Sequence, residues 1–442
     1  MAGMKTKRRL EKGEALRERA HRLIPAGAHT YSKGDDQFPA NAPGFIARGL
    51  GARVWDPDGN EYVDWGMGLR AVILGHAYPR VIAAAREQLE LGSNFVRPSP
   101  IEADLAERLV ELIPSAEMVK LAKNGSDVTT AAVKLARAAS GRDKVAVCAE
   151  HPFFSVDDWF IGSTVVGSGV PQAVRDLTVS FHYNDLGSVR EMFAANPGQI
   201  AAVILEPVAF EKPAGGFLEG LRDICDREGA ILIFDEMISG FRFGLRGAQH
   251  LYGVTPDLST FGKGLGNGFA VAALVGRRDI MELGGLRHSK ERVFLLSTTH
   301  GGETHAIAAA LATLAELEDR DVAAALTRTG AALMDGLRSI AADSGIADNV
   351  RLYGEPCSPA LAFLDRQGVP SMELRTLFMQ EMADEGVLIP YIAPSFSHGP
   401  EELDRTLAAA RRALPVVAEA VDRGVDGLLV GPAVKPVFRR YN

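Results

Sequence analysis

The stretch "ILIFDEMISGF", residues 231–241, decides the fold: four apolar residues run straight into two adjacent carboxylates. An apolar run without alternation reads as a strand buried on both faces, the kind found in parallel sheets. Open α/β sheets hold their ligands beyond the carboxyl ends of the strands, so Asp235 and Glu236 emerge where a ligand would sit. Two kinds of positive charge could meet them there. One is magnesium on a nucleotide, and the other is the protonated ring nitrogen of an organic cofactor.

Outward from this strand, apolar runs and helical periodicities alternate. "AEMVKLAKN" (116–124), "DKVAVC" (143–148), "AAVILEP" (201–207) and "FAVAALVG" (269–276) are predicted strands. Helices are predicted from Ser126 to Ala139, near 217–229 and over about 303–318. Such alternation defines an α/β fold with a mainly parallel sheet covered on both faces. Residues 76–320 are expected to form this large domain. A smaller α+β domain is expected from both termini, residues 1–75 and 321–442. Within it, "GARVWDPDGNEYVDW" (51–65) alternates apolar and polar residues about Asp58-Gly59 and predicts a hairpin. "PRVIAAAREQLEL" (79–91) and "PIEADLAERLVELI" (100–113) have helical spacing.

Composition narrows the function. The chain has 442 residues, 47% hydrophobic and 24% charged, with a net charge of -8, which argues against a nucleic-acid partner. Cys148, Cys225 and Cys357 lie far apart without metal-ligand spacing, so no metal site is expected and a reducing cytoplasm is the expected location. The basic N-terminus lacks the apolar stretch of a signal peptide and reads as a charged amphipathic helix. No run of about 18 apolar residues occurs, so no membrane span is expected.

The magnesium reading needs G-x-x-x-x-G-K-[ST] to hold phosphates, and the chain has none. The ring-nitrogen reading has a partner in "PDLSTFGKGLGNGFAV" (256–271), where Lys263 stands among glycines. A lysine amine condenses with an aldehyde, and glycine lets backbone approach a flat ring. Pyridoxal phosphate carries such an aldehyde and uses its pyridine ring as an electron sink. Asp235 would stabilise the protonated ring nitrogen and Lys263 would form the imine. A phosphate site is expected at Asn124-Gly125-Ser126-Asp127, at the mouth of a helix whose free N–H groups favour a dianion. A plain helix cap is the commoner use of such residues.

At these residues the sequence resembles the class III, fold-type I pyridoxal-phosphate aminotransferases, nearest the glutamate-1-semialdehyde aminomutase subgroup. The likeness spans about residues 22–415 and includes "NGSDVTTAAVKLARAASGRDKV", "GAILIFDEMISGFR" and "PDLSTFGKGLGNGFAVAALVGRRDIM". It implies that Lys263 holds the cofactor and shuttles protons, that Asp235 pairs with the ring nitrogen, and that Met237 packs on one ring face. Gly125 and Ser126 would bind the phosphate, and Glu206 of "LEPV" would lie beside the cofactor. Thr299 of "STTHGGETHAIAA" would reach the phosphate of a neighbouring subunit, making a homodimer with shared active sites. Glu303-Thr304 stand where the family has Asn-Pro.

The substrate side departs further. The family's Tyr-His-Gly is replaced by "EHPFFSVDDW" (150–159), where Phe153 takes the ring-stacking position and Phe154 and His151 are the alternatives. A substrate-carboxylate arginine falls on Lys33, and Arg70 appears where the aminomutase has a small neutral residue. Three functions follow. The first is an aminotransferase moving an amino group from an amine donor to a ketone or aldehyde acceptor with an anionic group. The second is an aminomutase of the glutamate-1-semialdehyde type, and the third a catalytically idle binding protein on this fold.

Overall fold

The computed structural model describes residues 8–151 and 153–441. Two compact units result: Pro79–Ala323, and the described residues before and after it.

The first unit is built on seven strands: β1 (Met118–Ala122), β2 (Lys144–Cys148), β3 (Thr178–Phe181), β4 (Ile200–Leu205), β5 (Ile231–Asp235), β6 (Leu258–Phe261) and β7 (Ala272–Gly276). Their order is β1-β7-β6-β5-β4-β2-β3. The run from β3 to β6 is parallel, and β7 is antiparallel to both neighbours. The expected mainly parallel α/β sheet is therefore present. All six residues of β4 are buried, so both its faces are covered, as its unbroken apolar run requires. Val203, Leu205, Leu232 and Phe234 join Phe217, Leu218, Leu221 and Ile224 of the helix Phe217–Glu228 in one core.

Helix α1 (Gly125–Ser140) buries Val128, Ala131, Ala132, Leu135 and Ala136, the i, i+3, i+4, i+7, i+8 stripe of an amphipathic helix. That stripe lies across β4 to β7. The helix starts where the Asp127 carboxylate accepts the Asn124 N–H (2.9 Å) and stops at Gly141, whose φ of 66° turns the chain out of the helix. Helix α2 (Thr304–Asp319) packs against the helix Pro79–Glu90.

The other unit carries the expected hairpin, Arg53–Trp55 antiparallel to Glu61–Asp64, extended by parallel Val387–Leu388. The Asp56 carboxylate accepts from Asp58 N–H, Asn60 N–H and Tyr62 O–H, which fixes the turn. Helices Val322–Asp343, Met372–Asp384 and Pro400–Arg423 close a core that includes Trp65, Leu337, Phe378 and Leu414. The amphipathic helix expected at the N-terminus runs over Glu11–Leu23; residues 1–7 of that expectation lie outside the described residues. No helix among the described residues is long and apolar enough to cross a membrane.

Candidate active site

β5 and β6 end level with each other, because Asp235 pairs with Thr260 in the parallel register. Asp235 is buried, and its Oδ1 accepts from the Met237 N–H (3.0 Å) and the Thr260 hydroxyl (3.0 Å). Burial pushes its carboxyl pKa up, while the nearby Lys263 charge and these two donors pull it back. Lys263 lies just past β6 at φ 43°, a left-handed conformation costing about 1–3 kcal/mol in a residue with a side chain. Such strain persists only where the surroundings impose it. At the preceding Gly262 the backbone passes so close to Met237 that a Cβ there would lie 2.2 Å from its Cε. Met237 also comes within 3.1 Å of where a Cβ on Gly125 would be, so it sits between the two glycines.

These residues fit pyridoxal phosphate. A carboxylate driven toward neutrality by burial gains from a second cation, and a protonated pyridine nitrogen supplies one. The amine that would condense with the aldehyde is the electrostatic neighbour of that carboxylate.

Glu236, next in sequence, belongs to the scaffold. Its carboxylate accepts from Ala248 N–H (2.6 Å), Gln249 N–H (3.1 Å), Gln249 Nε2 (3.0 Å) and the Ser239 hydroxyl (3.0 Å). A Cβ on Gly247 would lie 2.7 Å from its Oε2, so the turn at φ 78° admits only glycine.

At the mouth of α1, the Ser126 hydroxyl oxygen accepts the Val156 N–H (3.0 Å), which leaves its proton to donate. Thr299 is exposed, and its carbonyl accepts from Asn94 Nδ2 (3.1 Å). Beyond β2, Phe153 is 42% exposed and meets Phe160 edge-on, whereas Phe154 is 1% exposed. The Phe154 ring meets Phe160 and His151 edge-on. Glu206 is buried, and its backbone N–H donates to Nδ1 of His151 (3.0 Å), which assigns the proton of that ring to Nε2. Burial lowers the His151 pKa to about 4, so the ring is neutral at physiological pH. Sequence reasoning weighed His151 only as a stacking ring and missed this role. It also missed Thr260 and Val156, since no spacing rule marks a hydroxyl beside an acid on a neighbouring strand.

The two expected substrate residues belong to the other unit. Lys33 ends the short turn Tyr31–Lys33 and is exposed. Arg70 ends the turn Met67–Arg70, in which four successive residues have φ of 40°, 58°, 60° and 68°. Three are not glycine, and each costs roughly 1–2 kcal/mol in this left-handed form. The Asp64 carboxylate holds the turn by accepting from Gly66 N–H (2.8 Å) and Met67 N–H (3.2 Å). The Arg70 guanidinium lies 5.5 Å above the Tyr391 ring.

The sheet order, with a buried aspartate and a lysine at adjoining strand ends, defines the fold-type I architecture of pyridoxal-phosphate enzymes. Residues 34–396 match the family Aminotransferase class-III, and the chain belongs to that family of enzymes. It is 36% identical to glutamate-1-semialdehyde 2,1-aminomutase of Roseiflexus castenholzii, over 93% of this chain and 99% of that one. Among solved structures it is similar to the FumI protein of Sphingopyxis sp. MTA144, with TM-score 0.86 and 29% identity over 93% of this chain and 98% of that one. It is also similar to an omega-transaminase from Sphaerobacter thermophilus, with TM-score 0.82 and 27% identity over 92% and 98%. The aminomutase relative supports the intramolecular reading better than the two-substrate reading set first from the sequence.

Proposed function

We propose that the protein transfers amino groups on pyridoxal phosphate, with Lys263 as the cofactor's covalent anchor. The observation that carries this is the electrostatic pairing of buried Asp235 with Lys263, itself held in a strained backbone conformation. Bound there, the cofactor supplies an electron sink for breaking the bond between a substrate carbon and its proton. The chain's own groups do the rest. Asp235 keeps the ring nitrogen protonated. Ser126 and the first N–H groups of α1 hold the phosphate, joined by Thr299 across a homodimer. Met237 would pack against the ring, and Phe153 or Phe154 would cover its other face. Glu206 stands at the end of β4, its N–H tied to His151. The Lys263 amine would also serve as the base that moves the proton between substrate carbons, because a flexible amine at the reacting atoms is a competent base.

We read the transfer as running between two molecules, an amine donor and a carbonyl acceptor with an anionic group. Two departures support that reading: lysine at the family's carboxylate-binding arginine, and Arg70 at the end of a strained turn. An arginine grips a carboxylate or phosphate through two parallel hydrogen bonds, so moving it moves the anionic end of the substrate. The second reading, amino transfer within glutamate-1-semialdehyde, is supported by the name and 36% identity of the Roseiflexus relative. One assay separates them: candidate compounds are supplied singly, then with glutamate as donor. Donor-dependent product is expected. Efficient isomerisation of glutamate-1-semialdehyde without donor would establish the second reading instead.

A further inference from the structure

Glu303-Thr304 replace the family's Asn-Pro: the glutamate brings a charge the amide lacks, and the threonine brings O–H and N–H donors that proline lacks. Glu303 Oε2 lies 2.7 Å from Nζ of Lys123, with side chains only 25% and 14% exposed. Lys123 also donates to the Ala270 carbonyl (3.0 Å), so its ammonium is held from two sides. The ion pair keeps the Glu303 carboxyl below its ordinary range, with Lys123 as the main cause. His300 adds a contact at 3.1 Å to the other carboxylate oxygen. The Thr304 hydroxyl donates to the Gly92 carbonyl (2.7 Å) and its N–H to the Ser93 carbonyl (3.0 Å). The loop passes close to Glu102 as well: a Cβ on Gly302 would lie 2.9 Å from its carboxylate. The loop carrying Thr299 is therefore tied at its far end to Lys123, the residue that immediately precedes Asn124-Gly125-Ser126.

We infer that the Lys123–Glu303 pair is a positioning device: it ties the loop from which Thr299 reaches the neighbouring subunit's phosphate to the residue just before this chain's own phosphate-binding Asn124-Gly125-Ser126. The inference rests on the proposed phosphate role of Gly125, Ser126 and Thr299. An ionic tether suits the task, since a charge-assisted bond of low exposure is both stronger and more directional than a neutral one. The pair is net neutral, so it orders the loop without placing an uncompensated negative charge near a dianion. The tether thereby orders the loop from which Thr299 would donate to the neighbouring subunit's phosphate.

The test compares two ligands on apoprotein: pyridoxal phosphate and pyridoxal, which keeps the ring and aldehyde but lacks the phosphate. Dissociation constants are measured for the wild type, Glu303→Gln and the charge swap Lys123→Glu/Glu303→Lys, with thermal unfolding of each apoprotein alongside. Glu303→Gln is expected to weaken pyridoxal phosphate roughly ten- to hundredfold, the span of one lost bond to a charged group, and to leave pyridoxal unchanged. The charge swap is expected to recover part of the loss, and it carries the comparison if Glu303→Gln does not fold. An equal loss for both ligands, or no loss for either, overturns the tether. A wild type that binds both ligands equally overturns the phosphate site itself and the tether with it.

Discussion

Asp235 and Glu236 are neighbours with opposite uses, and the difference lies in their donors. Glu236 commits its carboxylate to four donors, three from Ala248 and Gln249 and one from Ser239, while the donors on Asp235 both bind a single oxygen, Oδ1. Asp235→Asn should therefore leave the fold and cofactor binding intact while removing the charge that stabilises a protonated ring nitrogen. The expected cost is about 2–4 kcal/mol in the transition state, or about two to three orders of magnitude in kcat. Near-normal turnover would mean that another group keeps the ring protonated. His151 makes a separate prediction about stability. Its pKa falls from the ordinary 6.5 to about 4 in the folded chain, so the unfolded chain binds the proton first as the pH drops. Its contribution is full above the unfolded value, declines as pH falls toward the folded one and is constant below. Across that window the loss is about 3 kcal/mol. His151→Asn, which keeps an acceptor for the Glu206 N–H, should lose correspondingly less between about pH 7.5 and about pH 4.5. Urea midpoints at the two pH values measure this, and an identical decline in both proteins would refute it.

At the scale of elements, legibility followed chemistry. β2, β4 and β5 were readable because buried parallel strands are written as apolar runs, and antiparallel β1 and β7 because they too are mostly apolar. β6 was not, although all four of its residues are buried, because its middle is polar. Ser259 bonds the Ser115 hydroxyl and the Gln249 amide, and Thr260 bonds Asp235. Those partners are distant in sequence, and a periodicity count cannot see them. β3 is an edge strand whose four residues run half-buried, half-buried, exposed and buried, and it carries no clear signal either. The helix starts at Gly125 and Thr304 were legible to within a residue, since caps and apolar stripes are local. The same scale makes a packing prediction. Gly262→Ala forces Met237 off its seat between two glycines, because Cβ and Cε cannot share 2.2 Å. The expected destabilisation is about 1–3 kcal/mol, the usual cost of overpacking. Met237→Ala in the same background should recover part of it, since the obstacle is a flexible side chain. Denaturant unfolding of the double-mutant cycle measures the coupling, and simple additivity would show that the two side chains do not meet.

For the whole molecule, class and cofactor chemistry were readable because they rest on a few residues of fixed type and order, Asp235 before Lys263. The substrate was not, because it depends on residues such as Lys33 and Arg70 whose charges have many uses. The left-handed turn at Met67–Arg70 had no sequence signature either, as three of its four residues are ordinarily excluded from that conformation. The central claim concerns one amine. Borohydride reduction of the protein loaded with pyridoxal phosphate, followed by peptide mapping, should place the cofactor on the peptide containing Lys263, and Lys263→Ala should lose both that adduct and turnover. A cofactor fixed on any other lysine, or a Lys263→Ala protein that still turns over, would contradict the account.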